Sequence, residues 1–534
     1  MRRGVAREPS VGVPRAWASR REGSAPGSWG NRTVRHNRAG SVALDADTLR
    51  GYILSSTIPF LNSEGVPMYF KHFYDTDLAQ GSYLIGCQAT GEAIVVDGRR
   101  DIGVYLDEAA AQGLKITHVT ETHIHADYLS GSRELADRTG AQMFLSDMGD
   151  ADWKYGFEGT KLYDGDEIKV GNVILRAVHS PGHTPEHLSF LVIDGATSSE
   201  PVMILTGDFV FVGDIGRPDL LDEAAGGIDT RFGGAKALFA SLRDRFLTLP
   251  DHIQVWPAHG AGSACGKSLG SVPTTTVGYE RATAWWVGFI EDGDEQGFTN
   301  ALLEGQPDAP TYFGRMKRWN KQGPALLGEL AGPQELDAKQ IAARLAAREI
   351  LFLDTRTMAQ WHADGVDGAL FLPFGNNFAT YASYAIDPER DSQEIVVLAA
   401  NAAQASVMRD KLAWTGIDNF AGYLTSVEQL PRSAPPQVSP AELATDGAAW
   451  ILDTRTANEH AVGFIEGATQ IHAGRVRWQL DRIPRDAPIV AHCEAGGRAA
   501  VTASMLRVQG YEDVAELEGS YVGWLEHERH ATPA

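Results

Sequence analysis

From Met68 onward, short runs of β-branched and aromatic residues alternate with helical stretches, and loops appear wherever histidine and aspartate gather. The runs Tyr83–Gly86 and Glu92–Asp97 predict strands, Asp101–Gln112 a helix, and Ile116–Thr122 a buried strand ending at His123. Ser132–Arg138 predicts a helix, followed by strands at Gln142–Leu145, Glu167–Val178, His187–Asp194 and Val202–Thr206. Elements in this order predict two sheets between helical layers.

Behind Pro324 the pattern repeats. Ile350–Thr357 reads ILFLDTRT and Trp450–Thr456 reads WILDTRT, which sets Asp354 and Asp453 at equivalent places about a hundred residues apart. Gly416-Ile417-Asp418 and Gly510-Tyr511-Glu512 keep nearly the same offset, so two tandem α/β modules are expected. Pro431, Pro435, Pro436 and Pro440 mark the linker between them. The expected division is an extension over 1–67, a first domain over 68–325, and modules over 326–432 and 437–534.

Composition narrows the function classes. A net charge of −22 repels phosphate backbones and anionic membrane surfaces, so neither nucleic acid nor membrane is an expected partner. No apolar run reaches the roughly 18–20 residues of a membrane span. Three cysteines, Cys87, Cys265 and Cys493, provide no disulfide framework, and a reducing, cytoplasmic compartment is expected. The first forty residues depart from this balance, with nine arginines against Glu8 and Glu22. A disordered tail or an upstream start is the expectation there, with an organelle transit peptide as the minority alternative.

Four segments place histidine or aspartate at the end of an expected strand: His123-Ile124-His125-Ala126-Asp127-Tyr128, Gly182-His183, Gly207-Asp208 and Ala258-His259. One such histidine is commonly structural, but four in the same context converge on one mouth of the sandwich and predict a metal site.

These segments, spread over about Met68 to Asn320, resemble the metallo-β-lactamase superfamily, whose first motif is His-x-His-x-Asp-His. The resemblance implies an αββα sandwich. Tyr128 stands where that motif has its last histidine, a ligand of the second metal in the hydrolase branch, so a single metal is expected. The segments are most similar to the persulfide dioxygenases, a glyoxalase II-like branch, and Phe209, Phe211, Gly213, Gly216, Arg217 and Asp219 continue that pattern. Carried over by motif, the resemblance implies His123, His183 and Asp208 as ligands of one Fe(II) per chain. Two imidazoles and one carboxylate leave sites open for a substrate and dioxygen. It further implies oxidation of a small-thiol persulfide, on glutathione or a similar carrier, to sulfite and free thiol.

His125, Asp127 and His259 are then expected around the ligands, orienting them or a bound water. Arg217 is a candidate partner of Asp208 or of an anionic substrate. His179 and His187 fall outside the motif and are read as non-ligands, Cys87 as a core residue, and Cys265 as a minor candidate for a reactive thiol.

In the last module the strand Ile489–His492 leads into Cys493-Glu494-Ala495-Gly496-Gly497-Arg498 and a helix over Ala499–Val508. Backbone N–H groups, the helix dipole and Arg498 are expected to face the Cys493 sulfur and favour a persulfide anion there. This loop, with LDTRT and Gly463–Ala468, resembles the rhodanese family, implying sulfurtransferase chemistry with sulfite or thiosulfate as partner. Alignment through Gly416 and Gly510 puts Ala399 at the cysteine position and Gln404 at the arginine position of the earlier module, which is therefore degenerate. Glu494 departs from loops with a basic residue beside the cysteine. The runner-up function is a zinc-dependent thioester or lactone hydrolase with a fused rhodanese; homo-oligomerisation stays open.

Overall fold

The computed structural model describes residues 67–223, 226–445 and 447–531. The arginine-rich stretch lies outside the described residues.

Twelve strands build the first domain: β1 Tyr69–Asp75, β2 Gln80–Cys87, β3 Glu92–Val96, β4 Lys115–Thr120, β5 Gln142–Ser146, β6 Thr160–Leu162, β7 Glu167–Val170, β8 Val173–His179, β9 Leu188–Asp194, β10 Met203–Gly207, β11 Gln254–Pro257 and β12 Thr275–Thr276. The first six form one sheet in sequence order, and β12-β11-β10-β9-β8-β7 form the second. Alternate residues of β2 and β3, among them Tyr83, Ile85, Ile94 and Val96, meet Leu175, Phe190, Val192 and Leu205 between the sheets. Leu84, Ala93 and Val95 point the other way, onto Tyr105 and Leu135 of the helical layer. Both faces of β2 are thus covered, which is why its residues are buried throughout instead of alternating with polar ones. The expected αββα sandwich is the observed one.

One expectation needs correction. The single strand over Glu167–Val178 is a hairpin, β7 and β8, because Gly171 at φ 58° turns the chain in its middle. The proline-marked linker is itself paired with both modules that it joins. Arg432–Ser433 pairs with Gly365–Val366 in the earlier module, and Gln437–Val438 extends the sheet of the last.

The two modules repeat one topology. In the earlier sheet the strand Ile350–Asp354 lies between Leu370–Phe371 and Glu394–Leu398, with Phe420–Leu424 outside. In the last, Trp450–Asp453 lies between Thr469–Gln470 and Ile489–His492, with Val514–Leu517 outside and Gln437–Val438 at the edge. The described residues form one compact unit. Arg100 reaches from the sandwich to Asp418 (2.9 Å) and the Ala413 carbonyl (3.0 Å), Trp414 donates to Asp101 (2.9 Å), and Arg475 pairs with Glu223 (2.6 Å).

Candidate metal centre and cysteine loop

The four candidate segments follow β4, β8, β10 and β11, at the strand ends that open on one edge of the sandwich. His123, His183 and Asp208 are all buried, and one ligand atom from each lies within 4.8 Å of the others. Asp208 Oδ2 stands 3.4 Å from His183 Nε2 and 3.9 Å from His123 Nε2. Each ligand is oriented from behind. Thr122 Oγ1 contacts His123 Nδ1 at 2.9 Å, the Arg217 carbonyl meets His183 Nδ1 at 3.2 Å, and the Asp208 N–H donates to His187 Nε2 at 3.1 Å. Burial holds His123 well below the ordinary histidine value, with His125 and His183 adding to it, and burial likewise lowers His183. Neutral imidazoles with Nε2 free beside an ionised carboxylate are the forms that bind a metal. The oxygen Asp208 Oδ1 is buried without a hydrogen-bond partner, so the residues present fit a divalent ion.

Asp127 and His259 lie beside the candidate ligands: His259 Nε2 is 3.5 Å from Asp208 Oδ1 and 3.5 Å from Asp127 Oδ2. Cys265 joins them in a second buried group that could also hold a cation. Burial raises this thiol to about 11, against the opposing pull of His259. Its grouping with Asp127 was not legible in sequence, because Cys265 lies more than a hundred residues from Asp127 along the chain.

His125 is corrected in detail. Its Nε2 contacts Asp97 at 3.0 Å, and although burial opposes the charge, Asp97 outweighs it and holds the imidazole at about 9. His125 therefore braces the floor of the site and not a ligand. Asp97 is the residue that sequence reading missed. It follows β3 in the left-handed region at φ 55°, accepts from Thr122 N (2.7 Å) and Thr122 Oγ1 (3.0 Å), and lends its carbonyl to the Tyr128 hydroxyl (2.9 Å). The Asp-Gly pair at a strand end was the available signal.

Arg217 is corrected outright. It is buried, with Nε on Asp219 (2.9 Å) and Nη1 on the carbonyls of Ala264 (2.9 Å) and Pro307 (2.8 Å), so its guanidinium is taken up by partners other than Asp208. Only its backbone serves the site. His187 bonds to Ser180 and His179 contacts the Pro185 carbonyl, which agrees with their reading as non-ligands.

A groove of about 1020 Å³, lined in part by Trp153, Gly182, Leu221, Lys317, Arg318 and Lys321, lies outside the centre. A smaller chamber sharing Trp153, Leu221 and Lys317 continues it inward to His183.

In the last module Cys493 follows its strand as expected and is buried. The loop curls so that Gly496 N–H donates to Cys493 Sγ at 3.1 Å, ahead of the helix Gly497–Val508. Arg498 lies within electrostatic reach of Cys493, and its guanidinium is held by both oxygens of Glu459, at 2.6 and 2.7 Å, because Glu459 caps a neighbouring helix at that spot. Glu494 turns outward to Arg455 (3.3 Å). At the matching place in the earlier module Ala399 is buried, and Asn401 caps the helix Ala402–Ala413.

A centre of this geometry on an αββα sandwich defines a class. The metallo-beta-lactamase superfamily profile matches residues 75–259, and the rhodanese-like domain profile matches 439–527. A solved metallo-beta-lactamase from Staphylococcus aureus is 39% identical with a TM-score of 0.59, covering 67% of this chain and 98% of its own. The chain belongs to the metallo-β-lactamase superfamily and carries a rhodanese-like domain behind the sandwich. Within that class, the mitochondrial persulfide dioxygenase ETHE1 of Bos taurus is 28% identical over 36% of this chain and 69% of its own length. A hydroxyacylglutathione hydrolase of Nitrosococcus oceani is 30% identical over 33% of this chain and 61% of its own.

Proposed function

We propose that the protein oxidises a persulfide carried on a small thiol, with dioxygen, to sulfite and free thiol at one Fe(II) held by His123, His183 and Asp208. The observation that carries this reading is the two-histidine, one-carboxylate set with buried Tyr128 in place of a further ligand. Bound there, iron would supply the one-electron chemistry that lets dioxygen react with sulfur. The chain itself contributes position and shelter. Thr122, His187 and the Arg217 carbonyl fix the ligands, and Ile124, Ala126 and Leu221 keep the inner chamber apolar. Lys317, Arg318 and Lys321 along the groove suit a thiol carrier with anionic ends, such as glutathione. Cys493 is the sulfurtransferase nucleophile, taking sulfur from a persulfide or thiosulfate.

A second reading, a two-metal thioester hydrolase, is favoured by the Asp127–His259–Cys265 group. Metal analysis of anaerobically purified protein, coupled to an oxygen electrode, separates the two. About one iron per chain and persulfide-dependent oxygen uptake are expected; two zinc ions with thioester hydrolysis and no uptake would overturn the dioxygenase.

A further inference from the structure

The Cys493 loop is walled by more than its own module. Helix Phe378–Ala385 of the cysteine-free module packs against the short helix Ala473–Val476 and against Gly497–Val508, the helix that the Cys493 loop opens. Tyr381 and Tyr384, three residues apart, share one face of it. A β-carbon added at Gly497 would stand 3.3 Å from the Tyr381 hydroxyl, and one added at Gly496 would stand 3.4 Å from the Met358 sulfur. The roof over the two loop glycines is therefore made by the earlier module.

Beneath that roof the donors are few. Gly496 N–H already bonds to Cys493 Sγ, and Arg498 is engaged by Glu459. Tyr381 is half-buried, and no described residue hydrogen-bonds to its hydroxyl. Burial raises its pKa, the Cys493 sulfur raises it further and Arg498 opposes, so the phenol keeps its proton at neutral pH and lies within electrostatic reach of the sulfur.

We propose that Tyr381 belongs to the sulfurtransferase site, its O–H donating to the outer, negatively charged sulfur of a Cys493 persulfide. This rests on Cys493 being the sulfurtransferase nucleophile. In the loading step the Cys493 thiolate attacks the outer sulfur of R–S–SH. A new Sγ–S bond forms as the donor S–S bond breaks, and the departing thiolate takes the S–H proton. The products are Cys493–S–S⁻ and RSH, with no net oxidation. Charge moves from Sγ to the outer sulfur, one atom nearer the roof, where Gly496 N–H no longer meets it. A module without a nucleophile thus completes the site of its neighbour, and its loss of cysteine and arginine leaves that role intact.

Tyr381→Phe removes one oxygen atom and keeps the ring. Loading of Cys493 from glutathione persulfide, followed on the full chain by mass spectrometry as the gain of one sulfur atom, should slow roughly ten-fold, the order expected for one hydrogen bond to a charged group. The melting temperature and the oxygen uptake of the metal centre should not change. Gly497→Ala, which presses on the hydroxyl, should slow loading in the wild-type background but add little to Tyr381→Phe. Loading of Tyr381→Phe at the wild-type rate, or equal additive losses in the two backgrounds, would overturn the assignment. A wild-type chain that gains no sulfur at Cys493 would bring down the sulfurtransferase reading, and this proposal with it.

Discussion

At the residue scale the metal centre depends on a few side chains with few substitutes. Asp208 is the carboxylate of the candidate ligand set, and its buried Oδ1 has no hydrogen-bond partner. Asp208→Ala should lose the bound metal and oxygen uptake together, read by metal analysis and the electrode, while Cys493 loading persists. Tyr128 is the motif departure, and its surroundings explain it. The ring is buried against Leu78, Ala379 and Trp414, so a position that offers a metal ligand elsewhere here anchors the earlier module. Tyr128→His leaves a void at that contact and should cost about 2–3 kcal/mol, seen as a lower urea midpoint with an unchanged slope. Glu459 neutralises Arg498 and also closes a capping box with Thr456. Glu459→Gln keeps the cap and removes the charge. Arg498 is then uncompensated beside the Cys493 loop, and alkylation of Cys493 at neutral pH should become several-fold faster; an unchanged rate would mean that Arg498 does not act on the sulfur.

At the element scale the helix Phe378–Ala385 joins the parts. Its first turn is fastened to the sandwich: Ala379 N–H donates to Asp77 Oδ2 (3.0 Å), and the Thr380 hydroxyl to the Asp77 carbonyl (2.5 Å). Lys411 completes the contact on Asp77 Oδ1 at 2.6 Å. Asp77→Ala strips a largely buried ammonium of its partner and should cost about 3–5 kcal/mol, measured by thermal unfolding. The strand-end positions of the ligands were legible from alternation and loop chemistry, and so was the Cys493 strand-loop-helix. The Gly171 turn inside one apolar run was not, since a hairpin buried on both sides reads as one continuous strand. Arg217 was misread for a related reason. A charged side chain in a motif region looks available until the loops around Ala264 and Pro307, distant in sequence, are seen to enclose it.

At the scale of the whole molecule the described chain is one compact unit, although its sequence reads as three domains. Leu129 N–H bonds to the Trp414 carbonyl at 2.7 Å, and Arg315 pairs with Asp387 at 3.1 Å, both across the junction between sandwich and earlier module. Unfolding should therefore give one main calorimetric transition, and a fragment ending near residue 325 should melt well below the full chain because it bares Leu78 and Tyr128. The two chemistries should still separate. Cys493→Ser is expected to abolish sulfur loading and leave persulfide-dependent oxygen uptake largely intact, because Cys493 is remote in sequence from every candidate ligand and belongs to a different sheet.

The sequence by itself determined the sandwich, the repeat behind it, the convergence of four candidate metal-binding segments and the cysteine loop of the last module. All of these are local patterns: hydrophobic alternation, strand-end motifs and a fixed cysteine-to-arginine spacing. Only the tertiary structure decided that Asp97 underlies the centre, that Cys265 joins Asp127 and His259, that Arg217 is structural, and that Tyr128 and Tyr381 serve contacts between modules. Each of these depends on atoms brought together from segments far apart in the chain, and no periodicity or spacing records which distant surfaces will be buried against one another.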